Sequence, residues 1–263
     1  MPVAPLGERA AILHMREVDK TFSGQVVALR RMSLQVNEGD FISLLGPSGC
    51  GKSTALRLIA GLMPPTLGRI EWEAGAGADD IGVVFQEPTL MPWATVEKNV
   101  FLPFRLRGQR FPAVRDRIHE VLALVGLEKF AKSYPRELSG GMKMRVSIAR
   151  AIATNPRLIL MDEPFAALDE ITRQKLNDDL LALKASTGAT VIFVTHSVFE
   201  SVFLSDRILV MAARPGRVIS EIEVTAPYPR GLEWRTSPRY GEVARQTSDA
   251  LNGALHPVGG LVA

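Results

Sequence analysis

A chain of 263 residues, 46% of them hydrophobic and with a mean hydropathy of +0.10, reads as an ordinary soluble globular protein with a sizeable core, one large domain or two small ones. A net charge of +3 argues against a nucleic-acid partner, because a specific DNA binder sets about 6–10 clustered Lys and Arg against phosphates and no such stripe occurs. One cysteine, Cys50, excludes an intramolecular disulfide, and no segment resembles a secretory signal or approaches the ~20 apolar residues of a membrane span; the expectation is a cytosolic chain that meets a membrane only through partners.

In chain order, AILHMREV and VVALRRMSLQV alternate as strands, and a turn at Asn37-Glu38-Gly39-Asp40 leads into the apolar FISLL. A glycine-rich loop follows, and KSTALRLIAGL then shows helical spacing until Pro64-Pro65. GRIEWE resumes as a strand, GAGADD is a loop, and IGVVF is a short buried strand. Residues 95–153 are helical in pattern, broken at Pro103, GQRFP, Gly126 and SYPRELSGG. Within that block ELSGGMKMRVSIARA places Met144, Ile148 and Ala151 on one helical face behind Ser139 and two glycines. A glycine in a helix costs roughly 1 kcal/mol against Ala, so two in the first turn need a reason. Beyond it come RLILMD, a helix over 170–186, TVIFV, a helix over 198–205, DRILVMA and a closing strand GRVISEIEV. Strands alternating with helices predict an α/β domain around a largely parallel sheet, with the helical block inserted in its middle. The tail after Pro227, rich in Pro, Arg and Gly, reads as a short appendage.

The loop GPSGCGKST, residues 46–54, matches G-x-x-x-x-G-K-[ST] in the context that gives the motif meaning, after a buried strand and opening a helix. Gly46, Gly49 and Gly51 let backbone N–H groups turn inward around phosphate oxygens, with Pro47, Ser48 and Cys50 between them. The following helix adds its positive end, Lys52 is placed to reach the β- and γ-phosphates, and Ser53, beside Thr54, to ligate Mg²⁺. RLILMDEP carries Asp162 to the carboxyl end of a strand, where it can hold the metal, and Glu163 is next in line to accept a proton from water. Gln86 and His196 each follow a buried strand. Either alone reads as a strand-end cap; together, on two strands of one sheet, they read as groups aimed at the metal and the γ-phosphate.

GPSGCGKST, VVFQEP, LSGGM, LILMDEP, AALD and VTHS occur in that order, and together they resemble the nucleotide-binding subunit of an ABC transporter over about residues 12–224. The resemblance implies a P-loop NTPase core with a parallel sheet (about 12–86 and 156–224), an N-terminal antiparallel β subdomain, an inserted helical subdomain (about 87–155) and a tail (about 225–263). It implies ATP and Mg²⁺ as ligands, with Ser53, Gln86 and Asp162 on the metal. It also implies a head-to-tail homodimer in which Ser139, Gly140 and Gly141 meet the nucleotide held by the other copy's Lys52. Asp169 of AALD would contact the opposite subunit, and Phe22 sits where the family stacks an aromatic residue, often Tyr, on adenine.

QEPTLMPWATVEKNVFLPFRLRG and ARPGRV further resemble importer ATPases for nitrate, sulfonate, taurine and related solutes. That implies integral-membrane permease subunits as partners, a groove over residues 85–104 for a permease helix, and a periplasmic or extracellular solute-binding protein. The chain would lie peripherally on the cytoplasmic face of the membrane. Core packing is the competing reading of Leu90, Met91 and Trp93. Two departures stand out: Met142 where Gln or Arg is common, and Ser197 where Asp is usual, which removes a negative charge beside His196. The alternatives are a soluble, non-transport ABC ATPase, which usually carries two cassettes or a long coiled coil, and a small-molecule kinase, which leaves LSGG unexplained.

Overall fold

The computed structural model describes residues 9–73, 77, 80–226, 228 and 230–255. It divides into two compact units, one of residues 1–79 and 190–263, the other of residues 80–189. Most of the expected GAGADD loop and the last eight residues of the tail lie outside the described residues.

The first unit begins with two long antiparallel strands, β1 (Ala11–Phe22) and β2 (Val26–Asn37). After them come β3 (Phe41–Leu45), α1 (Lys52–Ile59) and β4 (Leu67–Trp72), the last of which pairs with β1 to give the order β2-β1-β4. All five residues of β3 are buried, as expected for a central strand covered on both faces.

The second unit holds β5 (Ile81–Val84), α2 (Val96–Leu106), α3 (Phe111–Leu124), α4 (Gly140–Ile152), β6 (Leu158–Asp162) and α5 (Glu170–Thr187). β5 and β6 are parallel, and α2, α3 and α5 pack against α4. The face of α4 read from the sequence, Met144, Ile148 and Ala151, is buried. α5 starts at Asp169, whose carboxylate accepts from the Thr172 N–H, and stops at Gly188, which takes the left-handed conformation that ends helices.

The chain then returns to the first unit as β7 (Thr190–Thr195), α6 (Val198–Leu204), β8 (Arg207–Ala212), β9 (Arg217–Glu223), α7 (Leu232–Arg235) and α8 (Pro238–Leu255). β3 lies between β7 and β8, parallel to both, and β9 closes that edge antiparallel to β8. At the amino ends of β3 and β8, Asp40 and Asp206 are buried and held in full. Asp40 accepts from Arg207 (3.0 Å) and Arg9 (3.3 Å), while Asp206 accepts from the Phe41 N–H (3.0 Å). Buried carboxylates need such partners, and these anchor the end of the sheet away from the glycine loop.

The tail corrects the sequence reading. It is no appendage: Val243, Ala244 and Ala254 of α8 share one core with Leu45, Val202, Ile208 and Val210. Composition hid this, because Pro238 opens the helix behind the Ser237 cap, while Arg239, Gly241 and Arg245 face solvent.

Candidate functional site

In the first unit the glycine loop leaves β3 and is held tightly on two sides. A Cβ on Gly46 would lie 2.7 Å from the Met211 carbonyl oxygen of β8. Gly51, at the cap position of α1, has φ +93°, and a Cβ there would lie 2.9 Å from the Ala28 carbonyl. Only glycine satisfies both demands. No side-chain hydrogen bond caps α1, whose N-terminal end carries the positive pole of the helix dipole. Lys52 is buried, with Nζ donating to the carbonyls of Gly46 (2.7 Å) and Pro47 (3.0 Å). Ser53 and Thr54 are half-buried in the first helical turn, Cys50 is buried, and Ser48 and Gly49 are exposed.

His196 lies beside this loop. β3 and β7 run in parallel register with Leu45 opposite Thr195, so the next residues, Gly46 and His196, leave adjacent strands at the same edge. The turn carrying His196 is tied down locally. Ser197 N–H donates to the Thr195 hydroxyl (3.0 Å), which donates in turn to the Glu200 carboxylate, and Ser197 Oγ accepts from Glu200 N–H (3.3 Å). Ser197 therefore still caps α6, and the buried Glu200 is tied to the same turn through Thr195 and Ser197. Phe22 ends β1, 40% exposed, with Lys20 Nζ 5.4 Å from its ring centroid.

In the second unit β5 and β6 pair with Val84 opposite Met161, so Gln86 and the Asp162-Glu163 pair leave neighbouring strands at one edge. Glu163 has φ +46°, a left-handed backbone at a non-glycine residue that costs about 1–3 kcal/mol and clusters at functional sites. Asp162 and Glu163 are half-buried, and Gln86 is exposed. Their donor chemistry, carboxylate and amide oxygens, suits a hard cation.

The same unit carries the Ser-Gly-Gly turn. Ser139 caps α4, its Oγ accepting from Met142 N–H (3.3 Å), and with Gly140 it is exposed. Gly141 is buried, and a Cβ on it would lie 2.7 Å from Thr172 Cγ2. The N–H of that threonine is the one Asp169 accepts from, so the LSGG and AALD motifs meet through one residue. Hydrogen bonding to Thr172 holds the Asp169 carboxyl below the usual range.

Two positioning residues escaped the sequence reading. Arg150 on α4 donates to the carbonyls of Pro88 and Thr89 and to the Thr89 hydroxyl, each at 2.9 Å. Asn99 on α2, fully buried, accepts from Met91 N–H (2.7 Å) and donates to the carbonyls of Met91, Ala94 and Thr95. Both serve main-chain groups, which leave no pattern in a sequence. Beyond this clamped segment lies a groove of about 680 Å³ lined by Met91, Trp93, Lys98, Phe101, Arg105 and Tyr134. Trp93 is 76% exposed, which rules out core packing for it; Leu90 and Met91 are half-buried.

A family model described as ABC transporter matches residues 29–166. The taurine import ATP-binding protein TauB of Rhizobium johnstonii is 47% identical over 236 residues, covering 86% of this chain and 90% of its own. The aliphatic sulfonates import ATP-binding protein SsuB of Bacillus cereus is 42% identical over 239 residues, covering 87% and 91%. Among solved structures, the dimeric post-hydrolysis state of the ATP-binding cassette MJ0796 bound to ADP and Pi superposes with a TM-score of 0.70 at 34% identity, over 82% of this chain and 100% of that one.

Proposed function

We propose, on the premise that this chain belongs to the ABC transporter family, that it powers the import of a small solute of the sulfonate, taurine or nitrate kind. Its chemistry is ATP hydrolysis, as for the ATP-binding subunits of that family. The observation that carries the residue assignments is the register of β3 and β7, which sets His196 next to the phosphate loop.

In this reading backbone N–H groups of the glycine loop and the start of α1 take the phosphate oxygens, and Lys52 exchanges its loop carbonyls for β- and γ-oxygens. Phe22 stacks on adenine. Ser53, Gln86 and Asp162 would hold Mg²⁺, which supplies charge neutralisation to the phosphates when bound. Glu163 takes the proton of the attacking water, and His196 hydrogen-bonds the γ-phosphate. A second copy contributes Ser139, the amides of Gly140 and Gly141, and the positive end of α4 to the transition state, with Asp169 linking the two copies.

The apolar and cationic groove around Trp93 receives a helix of an integral-membrane permease, and a solute-binding protein on the far side delivers the cargo. Among the described residues no helix is long and apolar enough to cross a membrane, which fits a subunit held at the cytoplasmic face by its partners. The test is reconstitution with a candidate permease. ATP turnover should rise when a solute-loaded binding protein is added, and Glu163→Gln should bind ATP but turn it over at least roughly 100-fold more slowly. Unchanged turnover in Glu163→Gln would remove the base assignment, and association with ribosomes instead of a permease would remove the importer.

A further inference from the structure

α6 follows directly on the turn that carries His196. It has seven residues, roughly 10 Å of helix, far below the length at which a helix holds itself in water. It packs on β3 and β7, and the tail grips both of its ends.

At its carboxyl end, Arg230 donates to the carbonyls of Phe203 (3.1 Å) and Ser205 (2.7 Å). Tyr228 Oη reaches the Leu204 carbonyl (3.3 Å) and Asp206 (2.9 Å). These are carbonyls that a helix end leaves without intrahelical partners. Arg230 is buried, and it also donates to the carbonyls of Val224 and Ala226, so the grip is anchored to the chain after β9. Arg235 lies 3.8 Å over the Phe203 ring.

At the amino end, Tyr240 Oη donates to the Phe199 carbonyl (3.0 Å) and the two rings stack at 6.5 Å. Trp234 meets Tyr240 edge-on at 5.5 Å. Between these grips, Val202 is buried in the core that Val243 and Ala244 of α8 complete. The His196 turn is bound in turn to α6 through Ser197, Glu200 and Thr195, so a shift of the helix carries the turn with it.

We propose that the segment from Tyr228 to α8 is a positioning element of the hydrolytic site, which sets the His196 turn by clamping α6 at both ends. This rests on the reading of His196 as a γ-phosphate contact, and the experiment separates the two. Tyr240→Phe and Tyr228→Phe keep the rings and remove only their hydroxyl bonds, so the chain keeps its core. In the full-length protein the double variant should lower kcat at least about threefold with KM for ATP unchanged, since an ångström of misplacement at a reacting group can cost about a hundredfold. In a His196→Ala background the same pair should lower kcat no further, because the route to the site is gone.

An equal fractional loss in both backgrounds, or no loss in the native one, overturns the proposal. If His196→Ala itself leaves turnover unchanged, the γ-phosphate reading falls and the positioning claim is decided by NMR. The chain has four histidines, and the His196 ring signal is identified by its disappearance in His196→Ala. Tyr240→Phe should move that signal and leave the other histidines in place; a stationary signal overturns the clamp.

Discussion

Single residues here answer to two masters, and the paired glycines of α4 show it. The sequence suggested one reason for both, a bare helix end on which another copy's phosphate could rest. The structure divides them. Gly140 is exposed, and a Cβ on it would sit 3.4 Å from Leu168 Cδ2, an ordinary contact, so nothing in its own unit requires glycine there. Gly141 has a local reason, since its Cβ would press within 2.7 Å of the Thr172 methyl, and β-branched side chains have little freedom to move aside. Gly140→Ala should therefore keep or raise thermal stability by a few tenths of a kcal/mol, through helix propensity, while lowering ATP turnover. Gly141→Ala should lower stability by about 1–3 kcal/mol, the usual range for overpacking. Thr172→Ser, which removes the methyl and keeps the hydroxyl, should restore it. Denaturant melts of the three variants check this, and a Gly141→Ala protein as stable as Gly140→Ala would refute the packing argument. Glu163 carries the opposite tension: its left-handed backbone would suit glycine, yet the position holds a carboxylate, a tension that the proposed role as base would account for.

Among elements, the legible ones were those whose physics is periodic. β3, β6 and β7 announce themselves as unbroken apolar runs because both faces are covered, and α4 and α5 as buried stripes behind Ser139 and Asp169 caps. The phosphate loop, Gln86 and His196 were legible for the same reason, since a residue just past a buried parallel strand has to emerge at its carboxyl edge. What stayed hidden was held by main-chain bonds or masked by composition. α8 looked like a Pro/Arg/Gly tail, and the Arg150 and Asn99 clamps could not be read because nearly all of their partners are main-chain carbonyls and amides. Arg150 matters most, because it joins the Ser-Gly-Gly helix to the segment three residues past Gln86, where Thr89 itself has φ +47°. Partial burial pushes its guanidinium below the usual arginine range without discharging it. Hydrogen bonds from a charged group contribute about 1.5–3 kcal/mol, so Arg150→Gln should destabilise the second unit by that order. Amide exchange should quicken across residues 89–91 and stay slow in α4. Unaltered exchange there would show that Asn99 and the chain itself hold the segment.

At the scale of the whole molecule, the proposed site is one that two copies would complete together. Ser139 spends its side chain on an ordinary helix cap, worth about 0.5–2 kcal/mol, yet it and Gly140 stay exposed at the positive end of a long helix. If that end serves a nucleotide on a second copy, two defective chains should repair each other. Ser139→Arg retains a sound phosphate loop and a blocked helix end; Lys52→Ala retains the reverse. Each homodimer then has two broken sites. A mixed dimer has one site with both halves intact, the loop from the first chain and the helix end from the second, and one site with neither. Random 1:1 mixing makes half the dimers mixed, so recovered ATP turnover should approach roughly a quarter of native if the two sites act independently, and less if they fire together. The recovery should fade on dilution below the concentration at which the copies part. If both halves of a site came from the same chain, no mixture could contain an intact one. A mixture as inactive as its components would therefore show that α4 acts in its own chain or that one intact site cannot fire alone.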